Sequence, residues 1–312
     1  MSPPRFSVVC PAFRAEGTIA ATIESVRGQS LADLELIVVD DGSGDATPEI
    51  AEYYAARDGR IRVIRQSNGG TAAARNTGIA AAAGRCVSLI DNDDVWLPEY
   101  LEAVAAAFDN APGAGLAFAN AWTFDDRSFR VHKLTTLGDL PPLPPVLDPE
   151  EMLLALLRIN FVTASGATAT REALADAGPF EPAISGSDDW DMWLRIAAGG
   201  HGGVRVGDAP LVVLRDSRSQ QSKNRLQMLA AAERTVIRAR DRAEPGTAAH
   251  GAAQAYVDRL QPELRQLRNR ALITRLRPKA IAVRNRLTKH RTWRPAPAAV
   301  RAAMSGHNRS DG

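Results

Sequence analysis

The chain has 312 residues, of which 45% are hydrophobic, 24% charged and 5% aromatic, and these allow one large domain with an appendage. No stretch approaches the eighteen or so uncharged apolar residues that a membrane span requires. The first residues contain no long apolar segment typical of a secretory signal, so we expect neither secretion nor membrane crossing.

The cysteines and the charge distribution indicate the cellular compartment and the organisation of the chain. Cys10 and Cys86 both stand in apolar runs, so we expect no disulfide framework, and a reducing cytoplasm suits the composition. The net charge of +2 is unevenly distributed. Residues 261–312 contain thirteen Lys and Arg against two acids, a net charge of +11, which leaves −9 on residues 1–260. The sequence therefore predicts a basic appendage on an acidic body.

Strand-like and helix-like segments alternate over the first hundred residues. Short apolar runs rich in β-branched residues end near positions 10, 39, 66 and 90, and helical patterns separate them. This alternation predicts an α/β fold with a mostly parallel sheet and helices on both faces. Ligands of such sheets bind at the carboxyl ends of the strands, so the loops after these runs are the candidate site.

The pattern is less regular farther along the chain. "GLAFANAWTF" at 115–124 predicts one strand, 138–148 is a proline-rich surface segment, and helices are predicted at about 149–159 and 188–198. From about residue 220 the chain is rich in Ala, Arg and Gln with helical spacing. We therefore expect one domain over 1–218 and a helical, basic extension over 219–312.

Polar residues follow the predicted strands. Asp40 and Asp41 end the second strand, and "NGG" at 68–70 precedes a helix whose free N–H groups favour phosphate or carboxylate. Either pattern alone also suits a plain turn. "DNDD" at 91–94 is more telling, because three acids within four residues repel one another unless a cation or solvent relieves them. The alternative is a solvated turn in which Asp94 caps the next helix.

A second acidic cluster lies nearly a hundred residues downstream. Asp188, Asp189 and Asp191 open a predicted helix, where capping and the helix dipole explain some of these acids. A carboxylate beside a second acid and the two tryptophans of this helix has a raised pKa, which suits a general base.

Six segments, taken in order, resemble the family 2 glycosyltransferases, whose GT-A fold joins a nucleotide-binding sheet to an acceptor-binding half. They are "VVCPAFRAEGTI", "LIVVDDGSGDAT", "NGGTAAARNTGI", "LIDNDDVWLPEYL", "LADAGPFEP" and "GSDDWDMWLRI". The resemblance runs from about Phe6 to Arg215 and makes a chance match improbable. It implies a GT-A fold with a nucleotide-sugar half at about 1–95 and an acceptor half at about 96–218.

The resemblance assigns roles residue by residue. Asp41 would hydrogen-bond the N3–H of a uracil-type ring, Asp93 would bind Mg²⁺ or Mn²⁺ with Asp91 as partner, and Asp189 beside Asp188 would be the catalytic base. The other residues expected at the nucleotide are Pro11, Ala12, Phe13, Asp40, Asn68, Gly70, Arg75, Asn76 and Asn92, and those expected on the acceptor side are Trp190 and Arg215.

Some positions keep an alternative or depart from the family pattern. Arg75 could form a structural salt bridge instead of contacting the nucleotide. Trp190 could belong to the hydrophobic core instead of contacting a sugar, and we expect Trp193 in the core. The first acid of the base motif is usually Glu but here is Asp188. Many relatives have a histidine near position 216 that contacts the diphosphate, and this chain departs from that pattern with Asp216.

The implied reaction is inverting transfer of a sugar from a nucleotide-diphosphate sugar, with UDP as the expected nucleotide, to an acceptor hydroxyl. The expected setting is cell-envelope or extracellular polysaccharide and glycolipid synthesis. A nucleotidyltransferase would need a Gly-rich loop with a basic residue after the first strand, which "CPAFRAEGT" does not provide. A catalytically silent nucleotide-sugar or glycan-binding module is expected to lack Asp93 or Asp189, and both are present.

The basic extension alternates apolar residues with arginines, a pattern typical of an amphipathic helix on an anionic membrane. We therefore expect a cytoplasmic protein with a peripheral contact at the inner face of the membrane. A solvated helix packed on the acidic body is the alternative. Nucleic-acid binding is not expected, because no aromatic platform accompanies the charge.

Overall fold

The structure is a computed structural model that describes residues 3–125, 130–134, 143–184, 186–216 and 225–291, and for 130–134 and 271–291 the backbone alone. In chain order its elements are β1 (Phe6–Ala12), α1 (Ile19–Arg27), β2 (Leu34–Asp40), α2 (Thr47–Ala55), β3 (Ile61–Arg65), α3 (Thr71–Ala81), β4 (Cys86–Leu89), β5 (Val95–Trp96), α4 (Tyr100–Asn110), β6 (Ala114–Ala119), β7 (Ala121–Asp125), β8 (Arg130–Leu134), β9 (Val146–Leu147), α5 (Pro149–Arg158), β10 (Ala167–Thr170), α6 (Arg171–Ala177), α7 (Asp188–Ala198), β11 (Gly202–Val206), β12 (Val212–Asp216), α8 (Arg225–Arg242) and α9 (Ala248–Arg291).

The described strands form two sheets. The main sheet has the order β3-β2-β1-β4-β10-β6-β11-β9, and the second has the order β5-β12-β7-β8. Strands β3, β2, β1 and β4 are parallel to one another, whereas β10 runs antiparallel to both β4 and β6. The predicted α/β class with a mostly parallel sheet is confirmed, and the carboxyl ends of β1, β2 and β4 meet at one edge.

Alternate side chains of the sheet enter two separate hydrophobic clusters. Val9, Ile37 and Val39 belong to one cluster, whereas Val8 and Leu36 belong to the other. Because successive side chains of a strand point to opposite faces, the two clusters lie on opposite faces of the sheet. Helices cover both faces, and the buried Cys10 and half-buried Cys86 are free thiols.

The single strand predicted at 115–124 is wrong. The chain changes sheets at Asn120, since β6 pairs with β10 and β11 in the main sheet while β7 pairs with β12 in the second. The Asn120 amide donates to the carbonyl of Asp208 at 3.0 Å. A continuous apolar run does not reveal this change, because both strands are apolar and the partners of each are distant in sequence.

Close packing positions helix α3 beneath the candidate site. At Gly78 an added Cβ would overlap the Val9 side chain and lie 3.3 Å from Val39, so the missing side chain lets α3 lie against β1 and β2. Arg75 stands nearly one turn earlier on the same helix. The sheet and Gly78 therefore determine where this arginine lies.

The chain divides into two compact units, Met1–Gln261 and Pro262–Gly312. Helix α8 belongs to the first unit, where Val236 is buried in the same cluster as α7 and as Ala253 and Val257 of α9. In the second unit α9 continues to Arg291. The domain boundary predicted at residue 218 falls within 217–224, which the structure does not describe, so it stays a prediction. Residues 138–142 of the predicted proline-rich segment also lie outside the described residues. Among the described helices, none combines the length and apolarity of a membrane span.

Candidate active site

A cavity of about 1140 Å³ lies at the carboxyl ends of the parallel strands and extends to the start of α7. Most of the predicted site residues line it: Phe13, Asp41, Asn68, Gly70, Arg75, Asp91, Asp93, Asp188, Asp189, Trp190 and Arg215. The structure thus brings together residues that are up to about two hundred positions apart in sequence. Pro11, Ala12, Asp40, Asn76 and Asn92 are not among the side chains that line it.

Asp41 organises the loop that leads into α3. Its Oδ1 atom accepts from Gln66 Nε2 at 2.7 Å and from the backbone N–H of Gly69 at 2.8 Å, and its Oδ2 atom accepts from the N–H of Gly70 at 2.8 Å. Gly70 has φ +85°, a left-handed conformation that glycine adopts without strain. Because a carboxylate offers about four lone-pair positions, one on Oδ2 is left for a ligand.

The predicted residues outside the cavity wall support this edge from below. Asn92 Nδ2 donates to the carbonyl of Pro11 at 3.0 Å, which joins the loop after β4 to the end of β1. Asp40 Oδ1 accepts from the N–H of Ser43 at 3.3 Å. Asn76 pairs with the backbone of Phe180 in both directions, at 2.8 and 2.7 Å, so its amide holds the segment before α7.

Arg75 is the ion-pair centre of the cavity. Its Nη2 atom donates to Asp91 at 2.8 Å and its Nη1 atom to Asp188 at 2.7 Å, while only 4% of the residue is exposed. Burial alone would lower the pKa of Arg75, but the charges of Asp91, Asp188 and Asp189 outweigh burial and raise it. The salt bridge considered from the sequence is therefore present, and it joins the two acidic clusters.

The three acids of the "DNDD" turn all line the cavity but differ in how deeply they are buried. Asp91 has a side chain 37% exposed and lines the cavity, as does Asp93. Asp94 is 5% exposed, and its carboxylate accepts from Ser165 Oγ at 2.5 Å and from the N–H of Arg215 at 2.9 Å. Burial and the charges of Asp91 and Asp93 raise the pKa of Asp94 well above its usual range.

Asp94 does not cap α4, so the alternative considered from the sequence does not hold. The residue before α4 is Glu99, and no side-chain hydrogen bond caps the helix. Asp94 instead joins the turn to β12 and to Ser165, whose Oγ also accepts from the N–H of Asp91 at 2.9 Å. Ser165 has no motif around it, and the structure assigns it to the site through its place in the cavity wall and its contacts with two residues of the turn.

The acids at the start of α7 have separate environments. Asp191 is 1% exposed and pairs with Arg195 at 2.8 Å and Arg242 at 3.4 Å, so it joins α7 to α8. Asp188 faces Arg75. Burial first, and then the charge of Asp188, raise the pKa of Asp189 to about 6. Asp189 is thus a half-buried carboxylate in the cavity that is mostly ionised at neutral pH and can accept a proton.

The two tryptophans of α7 both lie in the interior. Trp193 is 1% exposed and packs edge-on against Phe180, as we expect for a core residue. Trp190 is 3% exposed, lies 5.3 Å from Tyr256 between ring centroids, and still contributes to the cavity wall. Trp190 therefore belongs to the core and to the wall at once.

The cavity also has the donor groups for a divalent cation. No group of three or more His, Cys, Asp and Glu side chains that could bind a metal is found in the part of the chain that the structure describes. Mg²⁺ and Mn²⁺ need only one or two carboxylates when substrate phosphates and water complete the shell. Asp91 and Asp93 both line the cavity and fit that requirement.

Solved structures with the same fold include a complex with UDP-GlcNAc and a mannosyltransferase. Residues 1–349 of S. aureus TarS in complex with UDP-GlcNAc match with a TM-score of 0.60 and 18% identity over 83% of this chain and 71% of that chain. The mannosyltransferase PcManGT from Pyrobaculum calidifontis in complex with GDP-Man and Mn²⁺ matches with a TM-score of 0.59 and 20% identity over 98% of this chain and 80% of that one. The fold is therefore the GT-A fold.

Sequence comparison identifies the family. The pattern of glycosyl transferase family 2 matches residues 7–178, more than half of the chain, and the chain belongs to that family. Among curated relatives, the uncharacterized glycosyltransferase EpsJ of Bacillus subtilis is 50% identical over 91 residues, 29% of this chain and 26% of its own. The succinoglycan biosynthesis protein ExoO of Rhizobium meliloti is 38% identical over 143 residues, 45% of this chain and 40% of its own. The chain therefore matches less than half the length of either relative.

The raised pKa of Asp189 predicts a pH-dependent stability. The folded chain binds a proton at Asp189 more tightly than the unfolded chain, in which the pKa of this group is near 3.8, so the contribution of Asp189 to wild-type stability falls as pH rises from about 4 to above 6. Asp189→Asn removes the charge and should raise the free energy of unfolding by about 1–3 kcal/mol at pH 8. Near pH 3.5 the gain should vanish.

Urea unfolding at several pH values measures this difference. Asp208→Asn is a matched control, because the Asp208 side chain is 86% exposed and should show no such trend. An Asp189→Asn variant that is less stable than the wild type at pH 8, or equally affected at both pH values, contradicts the prediction.

Proposed function

We propose that the chain is an inverting glycosyltransferase that moves a sugar from a nucleotide-diphosphate sugar to an acceptor hydroxyl. The observation that carries the proposal is the cavity, which is lined by Asp41, Asp91, Asp93 and Asp189 and in which Arg75 pairs with Asp91 and Asp188. These residues offer a place for a base, a diphosphate and a proton acceptor. Membership of glycosyl transferase family 2 supports the same reaction class.

For the nucleotide, we propose a uracil ring hydrogen-bonded through its N3–H to Asp41. The remaining lone-pair position on Oδ2 supports this contact, because the two N–H groups and the Gln66 amide already fix the carboxylate. Phe13, 41% exposed at the cavity, offers an apolar surface to the nucleotide. Pro11, Ala12, Asp40, Asn76 and Asn92 act on the proposed pocket indirectly, through the backbone and loop contacts described above.

For the diphosphate, we propose that Asp93, with Asp91 as its partner, holds Mg²⁺ or Mn²⁺. A divalent cation bound there supplies positive charge to the departing diphosphate. Arg75 keeps Asp91 in place and compensates its charge when no cation is near. The N–H groups of Gly69 and Gly70 bond to Asp41, so they position the nucleotide pocket rather than the phosphates.

For the chemical step, we propose that Asp189 takes the proton from the acceptor hydroxyl. The acceptor oxygen then forms a bond to the anomeric carbon while the bond from that carbon to the diphosphate breaks, and the nucleotide diphosphate leaves. One displacement inverts the anomeric centre. A pKa of about 6 leaves Asp189 ionised at neutral pH yet basic enough to accept the proton, and Trp190 and Arg215 line the acceptor side.

We propose that the reaction serves cell-envelope or extracellular polysaccharide and glycolipid synthesis on the cytoplasmic side of a membrane. The relative ExoO is named for succinoglycan biosynthesis, which supports this setting. The excess of eleven positive charges in residues 261–312 supports a peripheral contact with anionic lipids. The acceptor then lies at the membrane surface.

Asp189→Asn tests the base. The variant should bind UDP with Mn²⁺ as tightly as the wild type, within about twofold, and lose at least about 100-fold in sugar transfer, because a positioned base contributes about 10²–10⁴-fold. Calorimetry with UDP and a nucleotide-release assay on a panel of UDP- and GDP-sugars measure both quantities. Asp208→Asn is the control, and transfer at the wild-type rate by Asp189→Asn rules out the assigned base.

Vesicle flotation tests the membrane contact. The intact chain should float with vesicles rich in phosphatidylglycerol at low salt and be released at about 0.5 M salt, because screening weakens attraction to the lipid charge. A chain that ends at Gln261, the end of the first compact unit, should not float. Neutral phosphatidylcholine vesicles are the control, and equal flotation of both chains contradicts the contact.

A further inference from the structure

Buried polar atoms without a hydrogen-bond partner concentrate in one wall of the cavity. Among the described residues, five such side-chain atoms occur, and three of them belong to residues that line the cavity: Arg75 Nε, Asn160 Oδ1 and Thr163 Oγ1. Leaving a buried donor or acceptor unpaired costs about 1–3 kcal/mol, so native structures seldom keep one without a reason. Asn160 and Thr163 are neighbours in the segment 159–164, which follows α5.

The segment that carries these two side chains is firmly held. The indole N–H of Trp190 donates to the carbonyl of Leu156 at 3.0 Å, and that of Trp193 donates to the carbonyl of Val162 at 3.2 Å. At its far end, the indole N–H of Trp96 donates to the carbonyl of Ser165 at 2.6 Å. Three tryptophans therefore fix the backbone on both sides of Asn160 and Thr163.

Burial alternates along the same segment. Phe161 and Val162 are 3% and 1% exposed and pack inward, Phe161 with its ring 5.2 Å from that of Phe118. Asn160 and Thr163 are half-buried and line the cavity. The unpaired atoms thus belong to residues of a wall whose backbone and apolar side chains are already held in place, and these two polar groups are the part of segment 159–164 that has no partner.

The position and chemistry of the two side chains indicate the ligand. Ser165, just beyond the segment, contacts the backbone of Asp91 and the carboxylate of Asp94, and Trp190 at the other side follows Asp189 directly. The segment therefore lies between the diphosphate end and the proposed base. An amide oxygen and a hydroxyl are neutral partners that suit hydroxyl groups, whereas the cavity's apolar residues Ile159, Trp190 and Met228 suit the C–H face of a ring.

We propose that Asn160 and Thr163 hydrogen-bond hydroxyl groups of a pyranose ring and thereby select the sugar that reacts. This inference rests on the proposed function and adds to it the two residues that recognise the sugar. The same chemistry suits the transferred sugar or the acceptor sugar, and the two are separated by experiment. Sequence patterns do not mark either residue, because a lone Asn or Thr after a helix is common.

The test uses three variants of the full chain and one control. Thr163→Val keeps the shape but removes the hydroxyl, Thr163→Ser keeps the hydroxyl, and Asn160→Ala removes the amide. Asn110→Ala, at an exposed position at the end of α4, is the matched control. Affinities for UDP alone and for UDP-glucose, UDP-galactose and UDP-N-acetylglucosamine are measured with Mn²⁺, and KM and kcat are measured with methyl glycosides as acceptors.

If Asn160 and Thr163 bind the transferred sugar, Thr163→Val and Asn160→Ala lower the affinity for the preferred UDP-sugar by about 3- to 10-fold. The affinity for UDP alone stays unchanged. The preference between UDP-sugars that differ at one group also narrows, which a merely structural defect does not produce. If Asn160 and Thr163 bind the acceptor sugar, the affinities for the UDP-sugars stay unchanged and KM for the methyl glycoside rises by a similar factor. Thr163→Ser and Asn110→Ala behave as the wild type.

The inference is overturned if Thr163→Val and Asn160→Ala both keep the wild-type preference among UDP-sugars and the wild-type KM for the acceptor. The two atoms would then be assigned to bound water. Equal loss of UDP and UDP-sugar affinity also overturns it. Failure of the proposed function has a different signature, because the wild-type chain itself then neither binds UDP nor turns over any nucleotide sugar.

Discussion

The buried guanidinium of Arg75, paired with Asp91 at 2.8 Å and Asp188 at 2.7 Å, is the interaction on which the site depends. It joins the turn after β4 to the start of α7, which are nearly a hundred residues apart. Breaking a buried ion pair by removing one partner costs about 3–5 kcal/mol, because it leaves an uncompensated charge in the interior. Without the arginine, Asp91, Asp188 and Asp189 would repel one another inside one cavity, so the guanidinium that joins the turn to α7 also permits the acidic cluster to exist.

Environment divides the acids of the two motifs. Asp94 and Asp191 are buried and bound by protein donors, so they support the turn after β4 and the contact between α7 and α8. Asp91, Asp93 and Asp189 line the cavity and are less deeply buried. Each of these three carboxylates thus has a buried carboxylate within three residues of it. This pairing explains why the sequence contains more acids than either capping or a metal site requires.

Local patterns predict the parts of the fold that depend on neighbours in sequence. The strands that lead to Asp41 and to the "DNDD" turn, and the helix that begins at Asp188, follow from apolar periodicity and from resemblance to a family. The rest depends on pairs distant in sequence, such as Arg75 with Asp188, 113 positions apart, or Ser165 with Asp94, 71 positions apart. The change of sheet at Asn120 and the burial of Asp94 escape prediction for that reason. Nor does composition indicate that Asn76 bonds to the backbone of Phe180.

The geometry explains how one cavity can serve both ends of a transfer reaction. Asp41 and the glycines before α3 form a fixed pocket, and three indoles hold the backbone on both sides of Asn160 and Thr163. Asp189 is the second residue of α7, which Asp191 joins to α8. The most direct test is the titration of the Asp189 carboxyl carbon by ¹³C NMR, assigned as the signal missing in Asp189→Asn. We expect a titration midpoint near pH 6 in the wild type. The midpoint should be lower in Asp188→Asn, because the charge of Asp188 raises the pKa of Asp189. A wild-type midpoint near pH 4, unchanged by that substitution, would contradict the coupled acidic centre.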